Sequence, residues 1–320
     1  MTTVAILGTG RMGSAMARAL AADGHRLALY NRTRKTARAL ADQLGAQVAE
    51  VAESPAAAVA AADVVISMVA DGDAVMRLYE GDGDRGGAPG ALGALEGLRP
   101  GHVVLEMSTV LPEVSRSLEG RVRARGAGIL DAPVSGSVSL AETGQLTIMV
   151  GGEGADLERA RPVLESLSAR IFHMGPLGSG AVMKLAVNNA VMGLNQTISE
   201  SLVLAERAGI ERSKAYEVFA GSAVGAPFVQ YKRSAFVTPD DTAVAFSIDL
   251  AAKDMGLILD LGEQVGADLP QAEIDIAVLH EIADAGGGGR DLSSVASHLR
   301  DTADRSDRGV PVRHEGVPMT

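Results

Sequence analysis

Residues 178–209 read GSGAVMKLAVNNAVMGLNQTISESLVLAERAG, and within them Val187, Val191, Leu194, Ile198, Leu202 and Ala205 recur at steps of three and four. That spacing keeps one face apolar and predicts a single long helix over about 178–208. Gly178 and Gly180 stand at its start, and Gly209 follows the last periodic residue as a stop signal. At about 1.5 Å per residue, roughly 29 residues make a rod of roughly 40 Å, long enough to leave one domain and found another.

Upstream the pattern changes. Apolar runs at 4–7, 26–30, 47–49, 64–69, 102–108, 128–136, 145–152 and 171–175 predict short buried strands. Helical patterns ending near 24 and 44, and spanning 55–62, 71–78 and 112–125, fall between them. This alternation predicts an α/β fold, doubly wound, with a mainly parallel sheet and helices on both faces. After residue 165 the patterns at 213–220, 247–266, 271–285 and 292–302 are all helical. The expected division is therefore a first domain over 1–165 and an all-helical second domain over 166–304, containing the long linking helix. A polar tail over 305–320 follows, with two prolines, expected to be peripheral or poorly ordered. GDGDRGGAPGALG, residues 81–93, breaks every periodicity and is expected to be a mobile surface loop.

Composition narrows the chemistry. A chain of 320 residues and 32.8 kDa can bury two cores. Cysteine is absent, which excludes disulfides and thiolate metal sites, and the six histidines show no metal-ligand spacing, so no metal is expected. The net charge of −11 argues against nucleic acid as a partner. No apolar run reaches the roughly 18 residues of a membrane span, and TTVAILG at the start reads as a strand rather than a leader. A reducing, cytoplasmic location is the expectation.

The first strand runs directly into GTGRMG, residues 8–13, then a helix, then a second strand, all within about 30 residues. In this context G-x-G-x-x-G is the signature of a Rossmann-type dinucleotide site. Gly8 allows the tight turn, Gly10 lets the backbone approach a pyrophosphate, and Gly13 lets the helix pack on the strand. With Thr9, Arg11 and Met12 between them, these are candidate cofactor contacts. An acid at the end of the second strand would bind the ribose 2′-hydroxyl of NAD. Asn31, Arg32, Thr33, Arg34 and Lys35 stand there instead. Three cations on an acidic protein favour the 2′-phosphate of NADP, which a guanidinium grips with two parallel bonds; NAD is the less favoured cofactor. The plainer reading is a solvated helix start. Ligands of such sheets lie at the carboxyl ends of strands, where Gly8, Asn31, Met68, Val69, Thr109 and Ser135 fall.

Lys184 and Asn188 are four apart, so they share one face of the long helix. Lys184 is the only formal charge between Arg170 and Glu200. From this helix alone it reads equally as a lysine snorkelling at a helix end or as a proton donor beside a ligand.

DAPVSGSVSLAETGQL at 131–146 and GSGAVMKLAVNN at 178–189 join the glycine turn and FSIDLAAKD at 246–254. In these four ordered motifs the chain resembles the β-hydroxyacid dehydrogenases, the family of 3-hydroxyisobutyrate dehydrogenase and tartronate semialdehyde reductase. The resemblance runs from residue 4 to about residue 300. It implies a helical second domain of 6-phosphogluconate dehydrogenase type and NADP-linked oxidation of a small 3-hydroxy acid, or reduction of its semialdehyde. It also implies Lys184 as the catalytic general acid/base and Ser135, Gly136, Asn188 and Lys253 as substrate ligands. Thr109 then lies beside the nicotinamide, with Lys253 also near the cofactor. A lysine can exchange that proton if burial lowers its pKa from about 10.4 toward 7–8, and a Ser/Gly turn can offer backbone N–H groups to a carboxylate. Family members usually carry glycine where this chain has Ser137, a third substrate-side candidate. A β-carbon there is expected to narrow the pocket, or to cost roughly 1–2 kcal/mol if the backbone needs positive φ.

Two other readings follow from related architectures. An imine reductase would share the first domain and the Asn-Arg-Thr cluster, but relatives of that type generally lack the lysine. A non-catalytic NADP sensor or chromatin reader would need neither Lys184 nor Asn188. The partner expected is a small carboxylate substrate, and the apolar helix faces favour a homodimer or homotetramer.

Overall fold

A computed structural model describes residues 1–81 and 92–307. The glycine-rich 81–93 stretch, apart from its ends, lies outside the described residues, as does the tail beyond 307.

The first unit is Met1–Val187. Its strands are β1 (Thr3–Leu7), β2 (Arg26–Tyr30), β3 (Ala49–Val51), β4 (Val64–Ser67), β5 (Val103–Glu106), β6 (Gly128–Asp131), β7 (Val134–Ser135), β8 (Leu146–Gly152) and β9 (Ser168–Gly175). They form one sheet in the order β3-β2-β1-β4-β5-β6-β8-β7, with β9 pairing β8. The pairs from β3 through to β6 are parallel, and only β8 meets β6 and β7 antiparallel. The third strand sits two residues later than its apolar run suggested, and β9 carries the sheet past residue 165.

Alternation along the strands supplies two cores. Val4, Ile6, Leu27, Leu29, Ile66 and Leu105 face one layer of helices; Ala5, Leu7, Ala28, Val65, Val104 and Ile129 face the other. Both faces are covered, which is why the strands read as continuous apolar runs. A helix the sequence pattern does not suggest, Gly154–Leu167, packs on the first layer through Leu157, Ala160, Val163 and Leu164. Pro162 inside it masks the signal, because proline removes a backbone donor and ordinarily ends a helix.

The long helix is Ser179–Arg207. The second unit, Asn188–Thr320, takes in its later part and further helices at Arg212–Gly221, Ile248–Val265, Pro270–Ile282 and Ser294–Asp307. Short helices at Pro227–Tyr231 and Arg233–Val237 are too brief to leave a period in the sequence. The last helix extends through Asp307, beyond the 302 expected. Within this unit the buried Lys232 ammonium donates to both oxygens of Asp291, at 2.7 and 2.8 Å. The same carboxylate accepts the N–H groups of Ala245, Phe246 and Ser293, so three segments hang on one ion pair.

Candidate active site

The glycine turn is built as its spacing requires. Gly8 has φ +108°, and a β-carbon there would lie 2.2 Å from the Met68 carbonyl oxygen. One at Gly13 would lie 2.0 Å from the Gly8 carbonyl oxygen, while one at Gly10 would meet nothing within 4 Å. The helix Arg11–Ala22 starts at Gly10 with no side-chain cap and no acid in its first turn. Its leading N–H groups and positive dipole end therefore suit a diphosphate, and the residues present fit a dinucleotide.

Asn31 follows β2 and braces this turn: its Oδ1 accepts the Thr9 N–H at 3.1 Å and its Nδ2 donates to the Thr33 carbonyl at 3.1 Å. The basic cluster divides. Arg34 makes a two-bond ion pair with Glu53, so it is committed elsewhere, while Arg32 and Lys35 are exposed.

Register brings Ser67, Glu106 and Asp131 side by side at the carboxyl ends of β4, β5 and β6. Glu106 is 1% exposed. It accepts the Ser67 hydroxyl and, at 2.9 Å, the Ser108 N–H. Burial pushes its carboxyl up to about 7, the bonds from Ser108 and Ser67 oppose this, and neighbouring Asp131 adds to it. The Tyr79 hydroxyl lies 2.9 Å from the Ser67 hydroxyl, and burial holds its own pKa well above the usual value.

Asp131 fixes the start of the long helix. Its two oxygens accept the Gly178 and Ala181 N–H groups, each at 2.6 Å. Burial raises its carboxyl pKa, opposed by these same bonds. A carboxylate at a helix N-terminus is favourable for both the orphan donors and the dipole. Lys184, half-buried, stands one helical turn after Gly180.

Ser135 closes the short β7 against Thr147, and Gly136 turns at φ +142°, where a β-carbon would meet Leu146 Cδ2 at 2.8 Å. Of the two alternatives at Ser137, backbone strain does not arise: its φ is −81°. Instead its hydroxyl caps the helix Val138–Glu142, accepting the Leu140 N–H at 3.3 Å, and lies 2.7 Å from the Ser139 hydroxyl.

In the second unit Asn188 and Lys253 come together on a residue the motif reading passed over. Asn188 Nδ2 donates to Asp254 Oδ2 at 2.8 Å, and Lys253 Nζ to Asp254 Oδ1 at 2.7 Å. Phe228 is buried edge-on against Tyr231, with ring centroids 5.7 Å apart. Glu106, Asp131 and Asp254 each had a sequence signal: an acid inside or abutting an apolar run, which burial makes costly unless it is bonded.

The doubly wound sheet with its open glycine turn, followed by a unit that is helical over its described residues, defines a dinucleotide-binding protein. Residues 3–175 match the family described as the NAD binding domain of 6-phosphogluconate dehydrogenase. Residues 178–299 match the NAD-binding family of NADP-dependent 3-hydroxyisobutyrate dehydrogenase. The chain belongs to the β-hydroxyacid dehydrogenase family, as an NAD(P)-dependent 3-hydroxyacid dehydrogenase. A 3-sulfolactaldehyde reductase of Escherichia coli is 31% identical over 303 residues, 95% of this chain and 97% of that one. A 3-hydroxyisobutyrate dehydrogenase of Pseudomonas aeruginosa is 36% identical over 309 residues, 94% of this chain and 99% of that one. The solved 3-hydroxyisobutyrate dehydrogenase of Mycobacterium tuberculosis with L-serine superposes at a TM-score of 0.79 with 31% identity, over 94% of this chain and 99% of that one. No helix among the described residues is long and apolar enough to cross a membrane.

Proposed function

We propose that this dehydrogenase prefers NADP and interconverts a small 3-hydroxy acid and its semialdehyde, with Lys184 as general acid/base. The observation that carries this reading is the Asp131 anchor. It ties the helix bearing Lys184 to the end of β6, a few residues before the Ser135–Gly136 turn and at the carboxyl edge where the glycine turn also lies. A bound nicotinamide supplies the hydride acceptor or donor. Lys184 Nζ takes the hydroxyl proton as the carbinol is oxidised, and returns it to the carbonyl oxygen in the reverse direction. Ser135 and the backbone N–H groups of Gly136 and Ser137 receive the substrate carboxylate; Asn188 and Lys253 are further substrate ligands. Arg32 supports the preference for the 2′-phosphate, although its exposure makes that grip weaker than a buried one. A cytoplasmic homodimer or homotetramer fits the cysteine-free composition and the apolar helix faces.

The test is kcat/KM, with NADPH or NADP, for small 3-hydroxy acids and semialdehydes beside their methyl esters. The acid should exceed its ester by roughly ten- to a hundredfold, the worth of a charge-assisted bond of about 1.5–3 kcal/mol. Lys184→Ala should lower turnover by about 10² or more while the dinucleotide still binds. Equal rates on acid and ester sink the carboxylate model, and near-normal turnover in the variant removes Lys184 from the chemistry.

A further inference from the structure

A helix is ordinarily capped by the residue just before it, which moves with the helix end. The long helix takes its acceptor from the end of a strand instead. Asp131, on β6 and 1% exposed, accepts the Gly178 N–H on Oδ1, 47 residues further along the chain. It accepts the Ala181 N–H on Oδ2, 50 residues further, and both bonds are 2.6 Å long. The two donors are three residues apart, close to one turn. Two bonds from one rigid side chain hold the helix start at two points, so they fix its rotation as well as its height above the sheet.

Two glycines let the parts come this close. A β-carbon at Gly151, on β8, would lie 2.3 Å from Asp131 Oδ1 and 2.8 Å from the Pro176 carbonyl oxygen. One at Gly180 would lie 2.4 Å from the Met149 carbonyl oxygen and 2.8 Å from that of Asp131. The first turn of the helix therefore rests on the backbone of β6 and β8 with no layer of side chains between, and backbone cannot yield as a flexible side chain can. Lys184 stands four residues after Gly180, so its Cα–Cβ bond leaves the helix on the face that Gly180 lays against these strands. The main chain of Asp131 runs on through Ala132 and Pro133 to the Ser135–Gly136 turn. Both intervening residues are held, the Ala132 N–H by the Glu106 carbonyl at 2.7 Å and the Pro133 carbonyl by the Met149 N–H at 3.1 Å. All of these residues belong to the first unit.

One residue thus carries both halves of the chemistry, the anion-binding turn on its backbone and the helix of the proton-transferring lysine on its side chain. We propose that Asp131 is a positioning residue: its carboxylate, seated between Gly151 and Gly180, sets the place of Lys184 relative to the Ser135–Gly136 turn, and so the alignment of Lys184 Nζ on the carbinol oxygen of a substrate held there. This rests on the reading of Lys184 as general acid/base. Asp131 then acts through Lys184 and through nothing else in the reaction. A part in stability alone would leave every folded variant with a normal kcat.

The experiment is a double-mutant cycle: steady-state kinetics with NADP on a panel of small 3-hydroxy acids from 3-hydroxypropanoate upward, in wild type, Asp131→Asn, Lys184→Ala and the double variant. NADPH is titrated by its own fluorescence, and a melting curve is taken for each protein. Asparagine at 131 keeps the size of the side chain but sets an amide NH₂ against one of the two N–H groups, so one tether is lost. Its kcat should fall about 10²-fold, as for about 1 Å of misplacement, while the Kd of NADPH and the KM of the acid stay within about threefold. Adding Asp131→Asn to Lys184→Ala should change kcat by no more than about twofold, because no lysine is left to misplace; independent roles would multiply to about 10⁴. Gly180→Ala keeps the carboxylate but lifts the helix from the strands, and should show the same fall in kcat with the same Kd. Asp131→Asn with a wild-type kcat, a Kd that rises as kcat falls, or losses that multiply in the double variant overturns the proposal. If Asp131→Asn does not fold, a wild-type kcat in Gly180→Ala overturns it. A wild type that oxidises none of the panel, or a Lys184→Ala of near-normal turnover, overturns the proposed chemistry and the role of Asp131 with it. A slow Lys184→Ala beside a fast Asp131→Asn overturns only the role of Asp131.

Discussion

Asp254→Ala should destabilise the helical unit by about 2–3 kcal/mol and lower kcat/KM about a hundredfold. The Asp254 side chain is 4% exposed and holds two partners. Asn188 is buried, so its amide would lose a bond to a charged group and be left without water, at about 1.5–3 kcal/mol. Lys253 is 28% exposed, so water recovers much of its lost attraction and the share from that pair is about 1 kcal/mol or less. Relief of the desolvated carboxylate trims the sum. Activity suffers for a different reason: without their shared anchor the proposed substrate ligands Asn188 and Lys253 wander, and about 1 Å of misplacement costs about 10² in rate. Urea unfolding followed by far-UV circular dichroism gives the first quantity, since the chain has no tryptophan to report fluorescence. Steady-state kinetics on the preferred 3-hydroxy acid give the second. Asp254→Asn keeps an acceptor for Asn188 but no charge for Lys253, and should lose only about 1 kcal/mol. An Asp254→Ala protein as stable and as active as wild type would refute the reasoning.

Arg32→Ala should weaken NADP(H) by about 1–2 kcal/mol, since an exposed guanidinium grips phosphate less firmly than a desolvated one, and leave NAD(H) almost unchanged; equal losses for both in a binding titration would make Arg32 structural. Glu106 sets a pH dependence of stability. Its folded carboxyl, at about 7, lies above the 4.5 of an ordinary glutamate, so the native state binds more protons between those values. That contribution is fully present below about 4.5 and is lost as pH rises through about 7, about 3 kcal/mol in all. Glu106→Gln should flatten this slope in melts at about pH 5 and about pH 8, and an identical slope in both proteins would refute the assignment.

The alternation of strands and helices, the glycine turn and the long helix were legible because each is written in local order. A period of two or 3.6, or three glycines at fixed spacing, constrains the backbone wherever the rest of the chain goes. Gly8 and Gly13 are held to glycine by the Met68 and Gly8 carbonyl oxygens that a β-carbon would strike. The helix Gly154–Leu167 was hidden because Pro162 is a local stop that tertiary packing overrides. The two alternatives at Ser137 could not be separated by residue type, because φ at one residue depends on the helix it caps, and it lies at −81°.

Side-chain partnerships across distant segments were out of reach for a stronger reason. Glu106 and Ser67 are 39 residues apart, Asp131 and Ala181 50, and Asn188 and Asp254 66. Nothing in local spacing says which buried acid will meet which donor, or that Arg34 will spend its charge on Glu53. The sequence by itself determined where strands, helices and the phosphate-binding turn form, because backbone preference and apolar periodicity act over a few residues. The folded chain alone decided that Glu106, Asp131 and Asp254 are the fixed points of the two units. A buried carboxylate is tolerable only where strand register and helix packing deliver its donors, and those are properties of the assembled fold.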